Sequence, residues 1–280
     1  NFVILTKEES QNAFIFLNAF FLYFYMMNVA LIQTDIIWEN PSENRKNLEE
    51  KIKALNESID LIVFPEMFTS GFTMHPNLVA ETMQGETMVW LQQLAKEKNA
   101  AIAGSLVITD KGNFYNRLVF VFPSGEVQFY DKRHLFTLAG EDKKYIAGKE
   151  KVIIDYLGWK ICPLICYDLR FPVFARNSEE YDVLLYVANW PNTRINAWDA
   201  LLKARSIENM CYTIGVNRIG VDANHHIYNG HSQVQDYLGR DIIAPQEFDG
   251  VFIATLEKSA LLETRQKLGF LNDKDDFEIK

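Results

Sequence analysis

The chain is short of the residues that make a disulfide-stapled, metal-binding or basic protein. Its 280 residues include only three cysteines and five histidines. Cys162, Cys166 and Cys211 are too few for a disulfide framework. If residues 160–166 form a strand, Cys162 and Cys166 share a face but lie about 13 Å apart, beyond disulfide reach. Pro163 stands between them and disfavours the helix that would bring them together. Free thiols belong to a reducing setting, so the expected location is cytoplasmic. His225 and His226, in "DANHHIY", have no third ligand at zinc-like spacing and read as a turn, so no metal site is expected. Positive charge is scarce as well: 28 Lys and Arg against 37 Asp and Glu give a formal net charge of −9. That excludes a general affinity for nucleic acid or an anionic membrane. Phosphate-binding loops, H-E-x-x-H and G-x-S-x-G are all missing.

Long apolar runs are scarce too. "AFIFLNAFFLYFYMM", residues 13–27, falls short of the about 20 residues of a membrane span. It also lacks the basic flank and small-residue cleavage site of a signal peptide. "MNVALIQTDIIW" begins a strand immediately afterwards. The expectation is therefore an extension over residues 1–27, upstream of a natural start at Met26 or Met27, and one domain over 28–280. No membrane association is expected.

From residue 28 strand and helix patterns alternate. Strands are expected at 28–35, 59–66, 100–108, 181–190, 212–220 and 250–257, and hairpins at 115–132, 151–166 and 232–244. Helices are expected at 41–57, 85–99 and 196–210, with another near the end. The first carries Leu48, Ile52 and Leu55 on one stripe, with Ser42 as its N-cap. No Gly-, Ser- or Pro-rich linker interrupts the series. The pattern predicts a single α/β domain with helices outside and mixed sheets inside.

Three polar residues end apolar strands: Glu66 in "LIVFPE", Lys132 in "QFYDK" and Cys166 in "KICPLIC". Ligands of α/β sheets bind beyond strand ends, so the three side chains are candidates for one pocket. Singly, each has an ordinary reading: a solvated turn, a surface lysine, an inert core thiol. Together they make a mechanism. A thiol needs a base to become a nucleophile, and a carboxylate enclosed in a pocket is suited to take its proton. An ammonium stabilises an oxyanion. The N–H of Tyr167 is a second donor, because a short helix begins after the thiol.

The segments "FPEMF", "YDKRHLF" and "ICYDLRFP", in this order and spacing, resemble the Glu, Lys and Cys motifs of the nitrilase, or carbon–nitrogen hydrolase, superfamily. "FPEMFTSGF", "GETMVWLQ", "NWPNTRINAWDALLKARSIEN" and "GVNRIG" further resemble its bacterial omega-amidase branch. The resemblance implies a four-layer α-β-β-α sandwich, pairing into a homodimer through helices, and no metal or organic cofactor. It also implies hydrolysis of the terminal amide of 2-oxoglutaramate and 2-oxosuccinamate. By the same resemblance Glu66 is the general base and later acid, Lys132 the oxyanion donor, Cys166 the nucleophile, and Glu141, in "LAGED", the residue that fixes Lys132 or positions water.

For a substrate carboxylate the candidates are Arg170 and Arg194, since a guanidinium suits a carboxylate. Arg170 also has a bland reading, an ion pair with Asp168, and Arg194 another, as the start of the 196–210 helix. Asn189 and Trp190, just past a strand, are candidates to line the pocket. The trio alone does not separate an omega-amidase from a nitrilase, an N-carbamoyl amidase or a succinamate-type amidase. An acyltransferase and an inactive scaffold are the more distant readings.

Overall fold

The computed structural model describes residues 26–279. The expected extension over 1–27 therefore lies outside the described residues, apart from Met26 and Met27, which open the first strand. The N-terminal half supplies β1 (Met26–Gln33), β2 (Leu61–Val63), β3 (Ala101–Asp110), β4 (Asn113–Val121) and β5 (Val127–Asp131). The second half supplies β6 (Ile154–Tyr156), β7 (Trp159–Ile165), β8 (Val183–Ala188), β9 (Tyr212–Asn217), a small ribbon of β10 (Ile219–Val221) and β11 (Ile227–Asn229), then β12 (Ser232–Gln235), β13 (Asp241–Gln246) and β14 (Gly250–Glu257). They assemble into two six-stranded sheets, ordered β14-β1-β2-β3-β4-β5 and β13-β12-β9-β8-β7-β6.

The two sheets share one plan. Counted from β14, the ladders of the first run antiparallel, parallel, parallel, antiparallel, antiparallel. Counted from β6, the second repeats that series. In this correspondence β2 matches β8, and both lead directly into the candidate site.

The helices are α1 (Pro41–Lys53), α2 (Pro76–Val79), α3 (Glu86–Lys98), α4 (Pro172–Ala175), α5 (Ile195–Asn209) and α6 (Lys258–Leu268). Leu48 and Ile52 of α1 and Leu91 and Leu94 of α3 pack with Ile62, Ile102 and Val119 on the outer face of the first sheet. Trp198 and Leu202 of α5 and Leu261 of α6 belong to the core of the second. Between the sheets, Tyr156 accepts from the Ala101 N–H (3.2 Å) and donates to the Asp60 carbonyl (2.9 Å). This is the expected α-β-β-α sandwich. Each large apolar side chain buried in these layers is worth roughly 1.5–3 kcal/mol.

Sequence and structure differ at several boundaries. The N-cap of α1 is Asn40, whose side chain accepts from the Glu43 N–H; Pro41 holds the first helical position, and the helix ends at Lys53. Residues 100–108 and 115–121 were expected in separate units. They form one long hairpin, β3–β4, turning through Lys111 (φ 50°) and Gly112 (φ 81°), a two-residue turn that needs left-handed backbone at both positions. The strands read as 59–66, 181–190 and 212–220 end at Val63, Ala188 and Asn217. The residues left over at two of these ends, Glu66, Asn189 and Trp190, line the cavity described below.

Gly215 of β9 lets α5 approach closely, because a Cβ there would sit 2.4 Å from Leu202 and 2.8 Å from Trp198. Gly215→Ala is expected to destabilise the fold by about 1–3 kcal/mol, measured as a lower urea midpoint at unchanged slope.

Candidate active site

The site is built where apolar strands run out. β7 is buried along nearly its whole length, and Cys166 follows with φ 46°. A left-handed conformation in a non-glycine residue costs about 1–3 kcal/mol and is held by its surroundings. Here a 3-10 turn over Cys166–Arg170 follows at once. The Glu66 arm has the same form: Met67, the next residue, has φ 43°, and its N–H donates to Ser105 Oγ at 2.8 Å.

Lys132 lies past the end of β5, 1% exposed, and its ammonium has three carboxylate contacts. Nζ donates to Glu66 Oε1 at 2.8 Å and to both Glu141 oxygens at 3.0 Å. Asn116 Nδ2 bridges the two acids, at 2.8 Å to Glu66 and 3.2 Å to Glu141, and its own oxygen accepts from Ser105. Burial alone would lower the Lys132 pKa; the Glu141 and Glu66 carboxylates outweigh it, so the ammonium is held above the ordinary lysine range. Burial, then the neighbouring Glu66 charge, pushes Glu141 upward against the pull of Lys132.

Cys166 is the only one of the three cysteines that is not fully buried. Burial and then the neighbouring Glu66 carboxylate push its pKa well up, Lys132 partly opposing them, and the thiol points to the Asn189 carbonyl at 4.0 Å. The resting nucleophile is therefore a thiol beside a carboxylate rather than a preformed thiolate. Glu66 is fixed on its other side by Asn189, whose N–H donates to Glu66 Oε2 (2.8 Å) and whose amide donates to the Glu66 carbonyl (2.6 Å). Asn189 and Glu66 thus meet from corresponding strands of the two sheets.

Glu66, Lys132 and Cys166 line a cavity of about 370 Å³, which Tyr167, Arg170, Asn189, Trp190 and Arg194 also line. Glu141 is fully buried, gripping Lys132, and is not in the cavity wall. Arg170 does not pair with Asp168: its guanidinium lies over the Trp190 ring at 4.9 Å, while Asp168 bonds His134. Arg194 lies over Phe136 at 5.3 Å, and its carbonyl accepts from the Trp190 indole at 2.8 Å. Trp190 therefore packs and lines the cavity at once.

Sequence reasoning missed other members. Phe72, Met74 and Phe136 come from loops and Leu138 from a single 3-10 turn, Thr137–Ala139, none with a periodic pattern, and Asp222 and Tyr228 from around the β10–β11 ribbon. Asp222 organises that turn, accepting from the N–H groups of Asn224 and His226 and from Tyr228 Oη. The His225–His226 pair closes a turn at Ala223–Asn224, His225 donating its N–H to the Asp222 carbonyl, and His226 reaches the cavity. Asn116 and Ser105 did leave a signal, as polar residues inside otherwise buried strands. No cluster able to hold a metal occurs among the described residues, and no helix among them is long and apolar enough to cross a membrane.

Comparisons with known proteins agree with this geometry. The carbon-nitrogen hydrolase family model matches residues 28–266. An omega-amidase of Escherichia coli K12, YafV, is 41% identical over 254 residues, covering 90% of this chain and 98% of that protein. A 2-oxoglutaramate amidase of Bacillus subtilis is 32% identical over 251 residues, covering 88% and 96%. The crystal structure of XC1258 from Xanthomonas campestris, a CN-hydrolase superfamily protein with an arsenic adduct in its active site, superposes with a TM-score of 0.89 at 40% identity, covering 91% of this chain and 99% of that one. The chain belongs to the carbon–nitrogen hydrolase family.

Proposed function

We propose that this protein is an omega-amidase, hydrolysing the terminal amide of small 2-oxo acid amides such as 2-oxoglutaramate and 2-oxosuccinamate to the dicarboxylate and ammonia. The names of the relatives at 41% and 32% identity support the reaction. The observation that carries it is the meeting of a carboxylate, an ammonium and a thiol in one cavity that two guanidinium groups also line.

In this reading Glu66 takes the Cys166 proton as sulfur attacks the amide carbon, giving a tetrahedral oxyanion. All three Lys132 donors face carboxylates at rest. Protonation of Glu66 weakens its hold on Lys132, so the ammonium turns toward the oxyanion at the moment the charge forms. The Tyr167 N–H is the second donor. Glu66 then gives its proton to the departing nitrogen, the C–N bond breaks, and ammonia leaves a thioester. Water, deprotonated by Glu66, attacks that thioester, and the acid and thiol are regenerated. Glu141 keeps Lys132 aimed throughout. Every step uses these side chains, the substrate and one water.

Arg170 is the proposed partner of the substrate carboxylate, with Arg194 the second candidate and Asn189 and Trp190 shaping the pocket. The proposed setting is cytoplasmic, in keeping with three free thiols. The proposed assembly is a homodimer paired through the outer helices, where Ile207 of α5 and Leu262 of α6 are exposed. Residues 28–280 are the proposed catalytic unit.

Ammonia release from a panel of amides and nitriles tests the substrate. We expect 2-oxo acid amides to be preferred, and Arg170→Ala to raise KM about 10- to 100-fold with a smaller change in kcat, as loss of a charge-assisted contact requires. Equal cleavage of amides without a carboxylate would refute the 2-oxo acid assignment, and preference for nitriles or N-carbamoyl compounds would move the enzyme to those branches. Mass spectrometry should find an acyl adduct on Cys166 that Cys166→Ala lacks; no adduct and no ammonia from any amide would leave a binding protein. Because the folded thiol holds its proton more tightly than an ordinary one, its alkylation rate by iodoacetamide should still be climbing beyond about pH 9. A plateau below neutrality would mean a preformed thiolate instead.

A further inference from the structure

Asp168 sits two residues after the nucleophile, is fully buried, and does not line the cavity. Its carboxylate accepts four hydrogen bonds. Oδ1 takes the N–H of His134 at 2.9 Å and His134 Nδ1 at 2.7 Å. Oδ2 takes Tyr130 Oη at 2.8 Å and the N–H of Ile165 at 3.0 Å. A carboxylate has about four acceptor sites, and here all are used. Since an ionised acid only accepts, the His134 proton facing it must be on Nδ1.

The identity of the donors matters more than their number. Tyr130 is two residues before Lys132 and His134 two after. Ile165 immediately precedes Cys166, and Asp168 itself belongs to the turn that carries the thiol. One buried charge therefore ties the segment bearing the ammonium to the elbow bearing the sulfur. Neighbouring contacts reinforce the tie. The His134 ring stacks on Phe171 at 3.8 Å and 5° and meets Phe174 edge-on. Tyr130 Oη also accepts the Arg133 N–H at 3.0 Å. Arg205 caps the same turn through the Leu169 carbonyl at 2.7 Å.

We propose that Asp168, acting through His134 and Tyr130, is a positioning residue that sets the separation and aim of Lys132 relative to Cys166. It rests on the roles given above to those two residues. The chemistry demands such a device. The two groups come from different sheets, and an oxyanion is stabilised only where the ammonium and the attacked carbon are in register. A misplacement of about 1 Å in such a constellation costs about 100-fold in rate. Asparagine is no substitute for this aspartate, because its amide would turn a donor toward donors.

The test compares Asp168→Asn, His134→Ala, His134→Asn and Tyr130→Phe with the wild-type protein, reading kcat and KM for the best amide and the iodoacetamide alkylation rate of Cys166. Asp168→Asn is expected to lower kcat about 100-fold with KM changed less than about threefold, and to change the alkylation rate. His134→Ala is expected to lower kcat about 10-fold or more, and His134→Asn, whose amide donates near the Nδ1 position, to restore most of it. Tyr130→Phe, which removes one of four bonds, should fall between wild type and Asp168→Asn. A merely structural aspartate would lower the thermal midpoint and cut kcat only in proportion to the unfolded fraction, with per-molecule alkylation of the folded fraction unchanged, and His134→Asn would not rescue. That result, or Asp168→Asn within twofold of wild type in both readouts, overturns the proposal. If Asp168→Asn does not fold, the His134 pair decides alone. If wild type hydrolyses no amide, the assigned reaction fails, and the alkylation rates still decide whether Asp168 sets the environment of the thiol.

Discussion

The structure depends on one expensive act, the complete burial of the Lys132 ammonium. Desolvating a lysine costs several kcal/mol unless every proton finds an acceptor. Glu66 and Glu141 supply the acceptors, and burying two carboxylates creates a second demand, met by Asn116, the Asn189 N–H and the Phe136 N–H. Asn116 in turn requires Ser105, and Ser105 receives Met67. Each polar residue of this series answers the demand of the one before it. The result is a buried cluster of two acidic side chains around one ammonium, beside a thiol whose pKa burial and Glu66 push up.

That chain of demands also explains how much was legible in advance. Glu66, Lys132 and Cys166 stood out because each closes a strongly apolar run, and strand ends are where a sheet presents side chains to a ligand. Their convergence, with Arg170, Asn189, Trp190 and Arg194 around the same cavity, follows from the layered architecture the alternating pattern implied. Asn116 and Ser105 were harder. They lie in mid-strand, where the periodic signal reports only that the strand is buried, and one polar residue in such a run has many explanations. Asp168 was hard to place for a different reason. Proximity in sequence offered Arg170 as one partner, but Arg170 turns toward Trp190, and His134, which Asp168 does bond, is 34 residues away. Contacts of that separation are set by the packing of two sheets and leave no local trace. The loops bearing Phe72 and Phe136, and the three-residue strand bearing Tyr228, likewise carry no period to read.

The common plan of the two sheets gives the site its asymmetry. Corresponding strands β2 and β8 deliver Glu66 and Asn189 to one place, yet one end carries a reactive acid and the other a neutral amide that holds it. The first half contributes the whole charged cluster. The second contributes the sulfur, the residues that grip Glu66 from the other side, and both guanidinium groups of the cavity. Neither half has a working set, and the interface between the sheets is where the chemistry becomes complete.

The pairing of β1 with β14, an eight-residue antiparallel ladder between strands at opposite ends of the domain, bears on how the chain is made. During synthesis the ribosome delivers β1 to β5 first, with Glu66, Lys132 and Glu141 already present and one flank of β1 unpaired. An apolar open edge of that kind is a template for unwanted partners, and it stays open until Gly250–Glu257 has emerged. For most of translation, then, the first sheet carries an edge that only a strand near the far end of the domain can cover.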